Sequence, residues 1–434
     1  MLPTLPISRP LAAPAPAGVP GGAELAPPLL VGEHFVAALS FLVAGGAGLV
    51  LCADHLALGA FYVPRVAAVV HLFTIGWITL SIFGALCQFL PVAVGRPLAS
   101  YAVAHLSFAS LSLGASLMVA GLFVGSRPLL LSGAAGLSLA FLTFGGNLAV
   151  TLFGAKERGL TFWALVGATA AIFVTPAYGV ALALQVHDGG LADPFATIGR
   201  HAHVAIIGFV LMVMVGVAHR LMPMFLLVHG VSARPGWAAL GLYFTAAVLL
   251  ALPWGGDRVA LVAGVLALAG VGAMVVQAAA YYRHRTRRAI DPGMTLAAAG
   301  LVGLVVAAAL APFALSRGVT APRLLSAYFT VLLGSISLFI AGHYYKIVPF
   351  LVWNHRFGPL LGKVKVPKVA ELYSERLARA DAALLVLGLV TLALGVALGS
   401  VAVTRAGAVA FTAGALLEVV ILARVARTKV ATSP

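Results

Sequence analysis

The sequence predicts an all-α polytopic membrane bundle of about twelve transmembrane helices, arranged as three pseudo-repeats of four. Three observations predict it. Of the 434 residues, 62% are hydrophobic and 9% are charged, with a mean hydropathy of +1.08. Apolar runs of the roughly 20 residues that a bilayer core demands follow one another along the chain. One residue pattern then returns after every four runs. A soluble globule does not have this composition.

The first thirty residues are rich in Pro and Ala with a single Arg9 and no sustained apolar core. Residues 1–30 therefore read as a flexible cytoplasmic tail and not as a signal peptide. The apolar runs fall at about 34–53, 64–94, 98–124, 128–154, 160–186, 201–229, 236–254, 258–282, 293–316, 323–353, 381–401 and 405–427. They make one transmembrane domain, 31–434, with pseudo-repeats at about 31–157, 158–290 and 291–430.

Charge sets the orientation. The 27 Lys and Arg against 12 Asp and Glu sit in short loops and form no basic surface, so nucleic-acid binding is not expected. Loops after the even-numbered runs (GAKERG, HGVSARPG, YYRHRTRRAIDPG) are the basic ones and belong on the cytoplasmic side of a bacterial-type inner membrane. Both termini are then cytoplasmic, and the second, sixth and tenth helices run inward. Cys52 and Cys87 form no metal-finger or redox spacing.

Those three helices carry the returning pattern. His71 begins HLFTIGWITLSIFGALCQFLP and His203 begins HVAIIGFVLMVMVGVAHRLMP, so each has Gly at +5, Gly at +13 and Pro at +20. Phe329 begins FTVLLGSISLFIAGHYYKIVP with Gly334, Gly342 and Pro349 at the same offsets. The intervals are 203 − 71 = 132 and 329 − 203 = 126 residues, about four helices each.

Of twelve histidines, His71, His201 and His203 fall in the outer part of the membrane, where a polar side chain is costly and marks a functional site. His34, at the cytoplasmic start of the first helix, reads as solvated or interfacial. His201 and His203 are two apart on a helix and so differ by about 200° in direction. They serve two neighbouring sites and not one. Neutral imidazole is an axial ligand of haem iron, and an apolar bundle suits a porphyrin. One haem bridging His71 and His203 is the expectation, with the glycines below them admitting a flat macrocycle or a second helix; the alternative is neutral histidines hydrogen-bonded between helices.

At these residues the chain resembles subunit I of the haem-copper oxidases and nitric-oxide reductases. The resemblance rests on His-x-His, the Gly-bearing helix and the later Pro, and on His71 in the second helix. It implies a pseudo-threefold bundle of twelve helices, His71 and His203 on a low-spin b-type haem, and His201 on a second haem across its helix. It also implies electron transfer, or binding and reduction of nitric oxide or oxygen, with a quinol or a cytochrome as donor. The His-x-His lies on the sixth helix instead of the family's tenth, and no His-His dipeptide is present, so the family's copper centre is not expected. The chain is therefore more similar in kind to divergent oxidase-like proteins such as the NnrS group, linked to nitric-oxide tolerance.

Gln88, Arg220 and Lys346 share offset +17 and read as a polar ring for an anion, a quinol head group or a haem carboxylate, or as side chains snorkelling to the headgroups. Glu418 and Asp381 lie within helices, Glu418 as a proton relay or as a partner of Arg424. Asn147, Gln185 and Gln277 read as hydrogen-bonding groups between helices. Internal repeats and intramembrane polar residues also fit a secondary transporter. A haem scaffold or sensor without catalysis is the remaining alternative.

Overall fold

The structure, a computed structural model, describes residues 26–429. Twelve long helices account for most of them: α1 (Pro28–Leu51), α2 (Pro64–Val94), α3 (Tyr101–Val124), α4 (Arg127–Phe153), α5 (Leu160–Asp188), α6 (Pro194–Leu226), α7 (Arg234–Ala251), α8 (Asp257–Arg283), α9 (Pro292–Arg317), α10 (Pro322–Arg356), α11 (Glu375–Leu398) and α12 (Val401–Arg427). A short helix, Ala53–Leu58, follows α1. No strand occurs among the described residues.

Eleven of the long helices are long and apolar enough to cross a membrane. The exception is α7, which has 18 residues and opens on Arg234, Pro235 and Gly236. At 1.5 Å per residue it spans about 27 Å, short of the ~30 Å hydrocarbon core. It still packs against α6 and α8 within the bundle. The expected dozen is thus eleven full spans and one shortened helix. The protein is a multi-pass membrane protein, and the exposed Leu261, Val262, Val265 and Val276 of α8 make sense only against lipid.

Several helices start before the expected residue, and for two of them the local cause is plain. The helix of α1 starts within the span read as a tail, since Pro28 is favoured at a first helical turn. Residues 1–25 lie outside the described residues. The N-terminus of α11 lies six residues before the predicted 381, because the Ser374 hydroxyl accepts the Leu377 N–H and caps it there.

The three helices that share the Gly, Gly, Pro spacing are the innermost. Buried residues make up 72% of the apolar window of α2 and 67% of those of α6 and α10, against 44% or less in every other span. Each inner helix opens with proline at its N-terminus, Pro64, Pro194 and Pro322. The glycines at +13 meet the first helix of their own group of four: Gly84 meets His34 and Phe35 on α1, Gly216 meets Ala164 on α5, and Gly342 meets Gly293 and Ala297 on α9. A Cβ at any of them would lie within 3 Å of a neighbouring atom. Within each group the first helix packs on the second and the third on the fourth, and α1 packs on α12 to close the ring.

Candidate functional site

The segments below His71 and His203 depart from α geometry. Leu72–Thr79 and Val204–Leu211 are π-helical, each beginning on the residue after its histidine. The matching stretch of α10, below Phe329, is regular α-helix. A π-turn inserts a residue into the ladder and re-aims the side chains beside it, and such turns concentrate at functional sites. In α2 the Thr79 hydroxyl donates to the Thr74 carbonyl at 2.8 Å, restoring a partner inside the distorted turn.

The rings of the three histidines have different neighbours. His71 faces His201, with ring centroids 6.2 Å apart and the planes tilted by 32°. His203 turns away toward α10, where its ring is parallel to Tyr328 at 6.2 Å and lies 5.7 Å from Phe329. The opposed directions of His201 and His203 are as the helical spacing predicts, but the partner of His71 is His201. Which neighbouring ring a histidine meets depends on how the helices pack, and spacing along one helix does not predict it.

Hydrogen bonds sharpen the distinction. The Nδ1 of His71 is 2.7 Å from the Ala67 carbonyl, and the Nδ1 of His201 is 3.2 Å from the Thr175 carbonyl. In both, a backbone acceptor holds the proton on Nδ1 and leaves Nε2 as a free lone pair, the tautomer that metal-binding imidazoles use. The Nδ1 of His203 binds the Gly199 carbonyl at 2.8 Å, and its Nε2 is taken up by the Tyr328 hydroxyl at 3.2 Å.

The His201 ring lodges against Gly179 of α5, where an added Cβ would lie 3.3 Å from its Cε1. The Asp193 carboxylate caps α6 by accepting the Ala196 N–H at 2.9 Å, and the Arg200 guanidinium binds the Leu252 and Gly255 carbonyls beyond α7. No residue of Pro194–His203 is buried, although the segment begins an innermost helix.

Two imidazoles at this separation can share one metal ion. A metal bound by one nitrogen of each ring at ~2.0–2.1 Å places the two centroids roughly 6 Å apart. Among the described residues no three His, Cys, Asp or Glu side chains gather as a metal group. The glycines at +5 do not face the space beside the rings. Gly76 meets Phe41, Gly208 meets Ala171 and Ala247, and Gly334 meets Leu389, so they admit helices and not a macrocycle.

Nor do the residues at +17 form a ring. Arg220 is exposed and pairs with Glu157 at 3.3 Å. Gln88 and Lys346 both line a cavity of about 190 Å³ between α2, α6 and α10, toward the end of the bundle that bears the basic loops. The Lys346 ammonium is paired with Asp291 at 2.8 Å, and the Gln88 Oε1 is buried without a partner. His343 lines the same cavity, with its Nδ1 bonded to the Phe339 carbonyl at 2.8 Å, as do the Ser81 and Tyr344 hydroxyls, 2.8 Å apart. Phe35, Phe89, Phe225, Phe339 and Phe350 supply much of the wall. The sequence signalled Gln88 and Lys346 by offset, but it gave no sign of the cavity.

Other polar residues resolve simply. Asn147 binds both backbone groups of Ser100, Gln277 accepts the Gly236 N–H, and Gln185 accepts the Leu191 N–H. Glu418 makes no ion pair with Arg424. His34 is fully buried instead of solvated, because its Nδ1 bonds the Leu30 carbonyl at 2.7 Å and Gly84 opens room for it. No family model matches the chain, and no curated protein is similar to it.

Proposed function

We propose that this chain is a membrane haem protein whose His71 and His201 hold the iron of a b-type haem, for electron transfer or for binding and reduction of nitric oxide or oxygen. The observation that carries the reading is the facing pair of imidazoles, 6.2 Å apart on two π-distorted inner helices, each with Nδ1 tied to a carbonyl. A haem bound there supplies one-electron chemistry. The Ala67 and Thr175 carbonyls orient the rings.

The cavity beside Gln88 suits an electron donor of the quinol type. Its aromatic and aliphatic walls take an apolar ring, and the Gln88 Oε1 is placed to accept a hydrogen bond from a hydroxyl. Ser81 lies ten residues below His71 on α2, about 15 Å along the axis.

A reduced-minus-oxidised absorption spectrum of the purified protein tests the reading. A bis-histidine haem band is expected, lost in His71→Ala and in His201→Ala. Folded protein without such a band, or a band unchanged in both variants, would sink it.

A further inference from the structure

Helices α11 and α12 pack closely, and their contact brings together two acidic residues. An added Cβ at Gly388 would lie 2.4 Å from the Phe411 nitrogen, and one at Gly395 would lie 2.3 Å from the Thr404 nitrogen. Seven residues forward on α11 are thus matched by seven back on α12. One more step in the other direction, 388 − 7 = 381 and 411 + 7 = 418, sets Asp381 opposite Glu418. Contact between Ala378 and Ile421, one turn further along, agrees with that register.

Both side chains are completely buried. The Asp381 Oδ2 accepts a hydrogen bond from the Tyr345 hydroxyl at 2.7 Å. Its Oδ1 and both oxygens of Glu418 have no partner. No Lys or Arg forms an ion pair with either residue among the described residues. The groups around them are neutral: Tyr344 and Tyr345 on α10, and Tyr373 before α11, whose phenol burial pushes up to about 12. Glu33 on α1 is engaged with His105 at 2.6 Å, and Asp291 before α9 with Lys346.

Two ionised carboxylates face to face in apolar surroundings repel each other and lack solvation, so one of them must hold a proton. Orphaned buried polar atoms in a native fold also call for an occupant. We propose that Asp381 and Glu418 form a proton-binding site between α11 and α12, remote from the histidine pair and independent of the haem reading. Glu418 carries the proton and Asp381, held by Tyr345, is the acceptor. The two unpartnered groups then satisfy each other, Glu418 donating to the Asp381 Oδ1.

The test uses the full-length protein in detergent micelles with a hydrophobic carbodiimide, which reacts with protonated carboxyls in apolar surroundings, and locates the adduct by peptide mass. Modification at Glu418 is expected at neutral pH, absent in Glu418→Gln and retained in Asp381→Asn. An infrared band of a protonated carboxyl, present in the wild type and lost in Glu418→Gln, provides a second readout that needs no reagent access. Absence of both signals from folded wild-type protein overturns the proposal. Protection by sodium but not by choline overturns it too, since the occupant would then be a metal cation.

Discussion

His201 and His203 share a helix turn and differ in what their Nε2 atoms do. The free Nε2 of His201 is available to a metal, whereas that of His203 is hydrogen-bonded to Tyr328. His203→Ala should accordingly keep the haem band that His201→Ala abolishes, as read from the absorption spectrum of each purified variant. Gly179→Leu should lower haem occupancy without touching a ligand, because even a Cβ there reaches 3.3 Å from the His201 ring and a larger side chain displaces it. A Gly179→Leu protein with full haem content would place the ligand elsewhere. At the cavity, Gln88→Leu removes the unpartnered acceptor while keeping an apolar wall. Reduction of the haem by a short-chain quinol should then slow by about tenfold, which corresponds to ~1.4 kcal/mol, the scale of one hydrogen bond. An unchanged rate would take the donor away from this cavity.

At the scale of the element, the glycines seven apart on α11 set how closely α12 approaches. Gly388→Leu forces a side chain onto the Phe411 backbone and should cost about 1–3 kcal/mol or more, seen as a lower Tm. Gly264→Ala on α8, with nothing within 4 Å of the new Cβ, should leave Tm unchanged or slightly raised. Equal effects from both would mean that α11 and α12 are not packed in this register. The same contrast shows what the sequence could convey. Hydropathy located the spans because each must fill the bilayer with apolar residues, and the offsets of Gly76, Gly208 and Gly334 singled out the inner helices because close packing there admits nothing larger. The ring that His71 faces was not legible, because it depends on how α2 and α6 pack, and the π-turns after His71 and His203 have no sequence mark: Gly334 occupies the same offset on a helix with no π-turn. Asp381 and Glu418 stood out as intramembrane acids, but their meeting depends on a register between helices that apolar patterning does not encode.

For the whole molecule, three inner helices can be enclosed only if the outer ones close on themselves, and the closing contact joins the two ends of the chain. On α1, an added Cβ at Gly46 would lie 3.2 Å from the Cβ of Thr412 on α12. That is close to the separation a disulfide requires. In the double variant Gly46→Cys, Thr412→Cys, mild oxidation should therefore link α1 to α12 within one molecule. The exposed Lys363 and Lys365, between α10 and α11, offer a place to cut the chain with trypsin. After such a cut, the fragment with α1 and the fragment with α12 should stay joined on a denaturing gel and separate on reduction. The native Cys52 and Cys87 are buried and free, so the wild-type protein treated in the same way supplies the control, with no joined fragments expected. Fragments that separate without reduction would mean that α1 does not lie against α12 in the membrane. The complete burial of Asp381 and Glu418 on the two closing helices would then need another explanation.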